Sequence, residues 1–125
     1  MEIICAILPI DDGEAAKKFY VDGLGFTVEF EARHEPGFPA HIGIRSGDLF
    51  MHISEHGKGQ EPGEVYVFVD DIEAWHQRCL KNNVPVSQPP EKRPWGNTEM
   101  NLNDPYGNLL RVTQIGTHEI GDQYR

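Results

Sequence analysis

Several signals that would place a chain in a familiar functional class are missing from this one. Its 125 residues contain no apolar run near the roughly 18 residues that a membrane-spanning helix needs, so a membrane segment is excluded. It has only two cysteines, Cys5 and Cys79, and their separation matches no metal or redox spacing. A glycine-rich phosphate loop, a nucleophile elbow and an HExxH motif are also absent, so nucleophilic catalysis has no candidate beyond Cys5.

Positive charge is scarce as well. Eleven Lys and Arg face 20 Asp and Glu, which gives a formal net charge of −9. This charge repels phosphates and anionic lipids, so neither nucleic acid nor a membrane is an expected partner, whereas a cationic ligand is favoured. An acidic N-terminal segment and two free cysteines predict a cytoplasmic protein. With 38% hydrophobic residues, the chain has the composition of a single globular domain over 1–125.

The first half of the chain predicts a strand, a helix and three further strands. An apolar run over 3–10 indicates the first strand. Asp11, followed by Glu14 three residues later, predicts the helix start, and the Gly23-Leu24-Gly25 segment predicts its end. Alternating patterns then predict strands at 26–33, 40–45 and 49–54.

The second half repeats this order. An apolar strand is predicted at 65–69, followed by a helix start at Asp70 with Glu73. The helix ends at Asn82-Asn83, and a proline-rich stretch leads to strands at 98–102 and 109–114. The predicted buried face of this helix consists of Ile72, Trp75, Cys79 and Leu80.

A constant offset of 59 residues relates the two halves. It pairs Asp11 with Asp70 and Asp12 with Asp71, and it pairs the last strand of one half with that of the other. Within those strands, His52 matches Arg111 on the polar face, while the intervening residues match on the apolar face. Because one such repeat cannot bury its own sheet, we expect the two to pair.

The predicted fold class is therefore α+β, with two repeated βαβββ modules whose curved mixed sheets surround a concave cleft. Module one covers about 1–56, a glycine-rich linker covers 57–63, and module two covers about 64–115. Residues 116–125 form a polar tail that we expect to be loosely held. The linker is flexible enough to leave open whether the modules pair within one chain or are swapped between two.

The sequence resembles the vicinal oxygen chelate superfamily, which includes glyoxalases, dioxygenases and bleomycin resistance proteins, over about residues 3–115. The resemblance rests on the repeated halves and on four segments: Pro9-Ile10-Asp11-Asp12, Phe19-Tyr20, Gly23-Leu24-Gly25-Phe26 and Asp104-Pro105-Tyr106-Gly107-Asn108. Two more, 47–54 and Pro94-Trp95-Gly96, are similar to bleomycin resistance proteins. This resemblance implies a domain-swapped homodimer that binds an antibiotic in clefts built from both chains.

The resemblance also implies where a metal would lie. In the metal enzymes of the superfamily the ligands occupy the positions of Cys5, His52, Glu64 and Arg111. An arginine stays protonated and cannot ligate, and the other three make a poor site for a hard cation. We therefore expect no metal, no cofactor and no catalytic residue, and Cys5 is interpreted as a core residue.

The expected ligand is a cationic, heteroaromatic small molecule of the bleomycin type, held without turnover. In this hypothesis Trp95 and Phe38 stack on its rings, although Trp95 is also compatible with simply covering the sheet end. His52 and Arg111 bind polar groups, and in the simpler alternative His52 bonds a neighbour and Arg111 neutralises Glu64. The predicted ligand-binding residues are Phe38, Phe50, His52, Glu64, Tyr66, Trp95, Glu99 and Arg111.

Two alternatives stay open at the level of sequence. One is a metal-dependent lyase, isomerase or dioxygenase of the same superfamily, which would use His52 and Glu64 with a further ligand such as His41. The other is a binding protein for a different small metabolite, which sequence cannot separate from an antibiotic binder.

Overall fold

Two four-stranded mixed sheets, one from each half of the chain, carry the fold in the computed structural model, which describes residues 1–116 and 120–125. The first sheet has the order β1-β4-β3-β2, where the strands are β1 (Ile7–Pro9), β2 (Thr27–Ala32), β3 (His41–Ser46) and β4 (Leu49–Ser54). The second has the corresponding order β5-β8-β7-β6, where the strands are β5 (Glu64–Phe68), β6 (Gln88–Lys92), β7 (Thr98–Asn103) and β8 (Leu109–Gln114). The predicted α+β class is confirmed.

The repeat in the sequence is also a repeat in strand register. β1 and β4 pair in parallel with Ile7 opposite His52, and β5 and β8 pair in parallel with Tyr66 opposite Arg111. Both residues of the second pair lie 59 positions after their counterparts in the first. The offset therefore relates positions that occupy equivalent places in the two sheets.

Among the residues that the structure describes, each half has one α-helix, and each of these helices begins at an aspartate. α1 (Gly13–Lys17), which continues into a π-helical turn over Lys18–Gly23, starts where the Asp12 side chain accepts a hydrogen bond from the Glu14 N–H at 2.9 Å. α2 (Ile72–Lys81) starts where Asp71 accepts from the Ala74 N–H at 3.0 Å. The predicted caps, Asp11 and Asp70, were each one residue early, because it is the second aspartate whose extended backbone lets its carboxylate reach the first turn.

Three other local predictions need correction. β1 is shorter than predicted: residues 1–6 precede it, and of their backbone groups only the Ala6 carbonyl bonds to β4, accepting from the His52 N–H. Cys5, in this segment, is half-buried rather than a core residue. Leu80 is exposed, since Ile72, Trp75 and Cys79 already fill the buried stripe of α2. The proline-rich stretch contains β6 itself, at a sheet edge where a missing N–H is tolerated.

The halves are joined by hydrogen bonds as well as by one continuous apolar core. The buried Tyr20 hydroxyl donates to Asp104 at 2.7 Å, and the Asn108 amide donates to the Pro9 carbonyl at 2.7 Å. Arg78 donates to the Leu24 carbonyl at 3.0 Å, so α2 is tied to the end of the first helical segment. These bonds make the Asp104–Asn108 turn a connection between the halves.

The described part of the C-terminal tail packs on the second sheet rather than being loosely held. Asn97 bonds both Gly116 and Ile120, and a 3-10 turn over Asp122–Tyr124 follows. Residues 117–119 of the predicted tail lie outside the described residues. Within the described ranges, no helix combines the length and apolar character needed to cross a membrane.

Candidate functional site

Each sheet has one face directed away from the core, and strand alternation decides which side chains it carries. In β4, Met51 and Ile53 are buried, while Phe50 and His52 lie on the opposite face of the sheet. We call this opposite face the first face. It also carries Phe30 and His41. The corresponding second face carries Tyr66, Phe68, Trp95, Glu99 and Arg111.

Glu99 organises the second face. Its side chain is fully buried, and one carboxylate oxygen accepts a hydrogen bond from Arg111 at 3.0 Å. The other oxygen accepts from the Trp95 indole N–H at 3.2 Å and from the Tyr66 hydroxyl at 3.4 Å. Arg93 adds a second guanidinium 3.7 Å away. Four of the predicted site residues therefore meet at one carboxylate.

This arrangement corrects the predicted ion pair between Arg111 and Glu64. The structure pairs Arg111 with Glu99, while Glu64 is exposed at the start of β5, two residues before Tyr66 on the same strand. Since Glu99 is buried and carries two arginines, it cannot itself meet a cationic group of a ligand. Its physical effect is to position Trp95 and Arg111.

The protonation states of the second face follow from these contacts. Burial opposes ionisation of Arg111, but the hydrogen bond and charge of Glu99 outweigh it and raise the pKa of the guanidinium. Burial, followed by the charge of Glu99, raises the pKa of Tyr66. At neutral pH the face therefore presents a charged arginine beside a protonated phenol.

Aromatic rings and the Arg111 guanidinium form a row along the second face. The rings of Tyr66 and Phe68 are parallel within 2°, with centroids 5.4 Å apart, because they alternate onto the same side of β5. The Arg111 guanidinium lies over the Tyr66 ring at 4.4 Å from its centroid. The ring of Tyr124, from the tail, packs against Phe68 at 5.0 Å.

Two histidines and a phenylalanine dominate the first face. His41 Nε2 and His52 Nδ1 are 2.8 Å apart, and the ring of Phe30 packs edge-on against His52 at 5.0 Å. Burial, with smaller contributions from His52 and His56, lowers the pKa of His41. His41 is therefore neutral near pH 7, hydrogen-bonded to the ring of His52.

The remaining predicted residues lie apart from Glu99. Phe50 packs under the Arg45 guanidinium at 5.0 Å and lines a cavity of about 550 Å³ that Tyr66 and Tyr124 also line. Phe38 lies in the β2–β3 loop with an exposed ring near His34. Among residues 1–116 and 120–125, no hydrogen bond joins Phe38 or His52 to the second face.

The positions at which the resemblance implied a metal do not fit one here. The Arg111 guanidinium is bonded to Glu99, the His52 Nδ1 atom is engaged with His41, and Cys5 precedes the first strand. A cation at this place would face a guanidinium, which repels it and cannot ligate it. Within the described part of the chain, no three His, Cys, Asp or Glu side chains are grouped as a metal site.

Comparison with known families agrees with the architecture and the repeat. A family model described as a glyoxalase superfamily protein matches residues 1–118. The chain belongs to the glyoxalase superfamily. This confirms the resemblance inferred from the sequence. A comparison with curated protein sequences finds no match.

Solved structures of the superfamily share this fold. The bleomycin resistance determinant of transposon Tn5 is 26% identical with a TM-score of 0.76, over 91% of this chain and 98% of that one. A bleomycin-binding protein complexed with bleomycin is 23% identical with a TM-score of 0.72, over 92% and 99%. TnmS3, an antibiotic-binding protein from Streptomyces sp. CB03234, is 22% identical with a TM-score of 0.75, over 91% and 95%.

The predicted site lacked Phe30, Phe68, Arg93 and Tyr124, and it included His41 only as a metal ligand in the alternative enzyme. Phe68 had a usable signal, because it follows Tyr66 by two positions in a strand and must share its face. Phe30 had the same kind of signal within its alternating strand. Arg93 and Tyr124 had none, since their proximity to Glu99 and Phe68 depends on how distant segments pack.

Proposed function

We propose that this protein binds and sequesters a cationic, heteroaromatic small molecule of the bleomycin type without chemical turnover. The observation that carries the proposal is the state of Trp95, whose partly exposed indole is held by a hydrogen bond to the buried Glu99. A tryptophan on a loop is a suitable stacking surface for a planar ring. Because its N–H is already bonded, little rotational freedom is lost when a ligand arrives.

Polar recognition is divided between two groups near Trp95. Arg111 uses one nitrogen for Glu99 while its side chain stays about a quarter exposed, so it can still donate to a ligand carbonyl or amide. Glu64, exposed on the same strand as Tyr66, is the carboxylate available to a ligand amine. In this proposal Glu64 attracts the cation, and Glu99 acts only by holding its neighbours.

The proposed binding unit is a cytoplasmic homodimer in which halves of two chains complete each cleft. Support comes from apolar side chains that one chain leaves uncovered: Ile3, Ile4, Ile7, Phe30 and Phe38 in the first half. A partner's first face placed over the second face would cover these side chains and bring Phe38 toward Trp95. The names of the Tn5 determinant and of the bleomycin-binding protein support the choice of ligand. Protection would then follow from mass action alone.

The test is a tryptophan-fluorescence titration of the chelator-treated protein with metal-free bleomycin. Trp75 is buried in the core, so quenching by ligand reports mainly on Trp95. We expect saturation near one ligand per chain, loss of the response in Trp95→Ala, and weaker binding in Glu64→Gln. The matched control is Glu61→Gln, an exposed linker carboxylate that should bind as the wild type does.

Two outcomes would contradict the proposal. Absence of saturable quenching in the wild type would exclude the bleomycin-type ligand. A monomeric mass by light scattering, at concentrations where the ligand binds, would exclude the shared cleft.

A further inference from the structure

The outer side of Phe68 is covered by a residue of the same chain. Tyr66 stacks on the Phe68 ring in a parallel arrangement at 5.4 Å, and the Tyr124 ring packs against Phe68 at 5.0 Å with a tilt of 38°. We call the side of Phe68 that contacts Tyr124 its outer side. A ring with two flat sides on an open sheet face would otherwise offer its outer side to any planar molecule. Tyr124 takes the place that such a molecule would occupy.

Specific contacts bring the tail to this position. Asn97, which is fully buried, accepts from the Gly116 N–H at 2.8 Å and donates to the Ile120 carbonyl at 2.6 Å. Gly121 has φ +106°, and a Cβ there would lie 2.8 Å from the Phe68 ring, so only glycine allows so close a passage. The Tyr124 N–H then donates to the Gly121 carbonyl at 2.9 Å.

The Tyr124 ring itself is held much less firmly than the backbone that carries it. About two thirds of the residue is exposed, and the tilt keeps its ring from lying flat on Phe68. Among the residues that the structure describes, its hydroxyl forms no hydrogen bond within the chain. A planar ring lying flat on Phe68 would bury more apolar area there than the tilted Tyr124 ring does.

We propose that the outer side of Phe68 is a subsite for a planar aromatic ring and that Tyr124 closes it in the free protein. The ligand's ring displaces Tyr124, while Asn97 and Gly121 keep the preceding backbone in place. A cavity of about 360 Å³ that both Phe68 and Tyr124 line lies at this position. The inference rests on the proposed function only for the class of ligand. It does not depend on binding at Trp95, which takes no part in this subsite.

The experiment measures the affinity of proflavine, a planar cationic heteroaromatic dye, by fluorescence anisotropy with full-length variants. About 0.15 M NaCl screens non-specific attraction to the acidic surface. Tyr124→Ala should bind the dye about 2- to 10-fold more tightly, the range that corresponds to removing one competing aromatic contact. Tyr124→Phe, which keeps the ring, should bind as the wild type does.

A second substitution locates the effect. Phe68→Leu in the Tyr124→Ala background should abolish the gain, because the flat surface is lost. Equal or weaker binding by Tyr124→Ala, a gain that survives Phe68→Leu, or no dye binding to Tyr124→Ala would each overturn the subsite. Quenching of Trp95 fluorescence by bleomycin is measured in a separate experiment. Each proposal can therefore fail without changing the outcome of the test of the other.

Discussion

The carboxylate of Glu99, fully buried, accepts a hydrogen bond from the partly exposed Arg111 guanidinium at 3.0 Å. The same carboxylate accepts the Trp95 indole N–H, so one buried group links the second sheet to the loop that carries the tryptophan. A charge with no access to water is stable only while its partners stay in place. Trp95 and Arg111 therefore depend on Glu99 for their positions.

Replacing this carboxylate should lower both stability and affinity. Glu99→Gln removes the charge that holds Arg93 and Arg111, and we expect a loss of about 2 kcal/mol in the free energy of unfolding. Urea denaturation measures this, and the bleomycin titration should show weaker binding. Glu91→Gln, an exposed carboxylate opposite Glu99 in the sheet, should change stability by less than about 0.5 kcal/mol. Equal losses in the two variants would contradict the role given to Glu99.

The bond between Tyr20 and Asp104 should contribute measurably to holding the halves together. Tyr20→Phe leaves the buried Asp104 with one hydrogen-bond donor fewer, which should cost about 1.5 kcal/mol in urea denaturation. Tyr106→Phe is the matched control, since its hydroxyl donates to the Asp12 carbonyl at an exposed place. That loss should be about 0.5 kcal/mol. If the control costs as much as the buried variant, burial is not what makes the bond between the halves strong.

The lowered pKa of His41 predicts how stability changes with pH. His41 is neutral in the folded protein at a pH where the unfolded chain is already protonated, so the unfolded state binds more protons. Stability should therefore fall as the pH drops below about 6.5, and the contribution vanishes above that value.

Thermal melting at about pH 7.5 and 5.5 measures the effect. His41→Gln should show a smaller drop in melting temperature between the two values than the wild type. His34→Gln, a substitution in the exposed loop before Phe38, should leave the drop unchanged. If the melting temperature of His41→Gln falls between the two pH values as much as that of the wild type, other groups cause the pH dependence.

Element order and strand faces could be predicted because they depend on local patterns. The 59-residue offset identified Arg111 as the counterpart of His52, and the strand registers agree. The segment from Asp104 to Asn108, singled out by the resemblance, forms a turn in which the Asp104 carboxylate accepts from the Tyr106 and Asn108 N–H groups. These patterns did not predict the hydrogen bond that the Tyr20 hydroxyl donates to Asp104, because Tyr20 belongs to the other half of the chain.

The sequence by itself determined that this is a repeated α+β chain with alternating strands, because spacing along the chain decides which face a residue takes. Only the tertiary structure decided the partners on those faces. Arg111 stands opposite Asn101 and thus diagonal to Glu99, a relation that requires the register of β7 on β8. Tyr124 reaches Phe68 because Asn97 and Gly121 guide the tail, a path that no periodicity records.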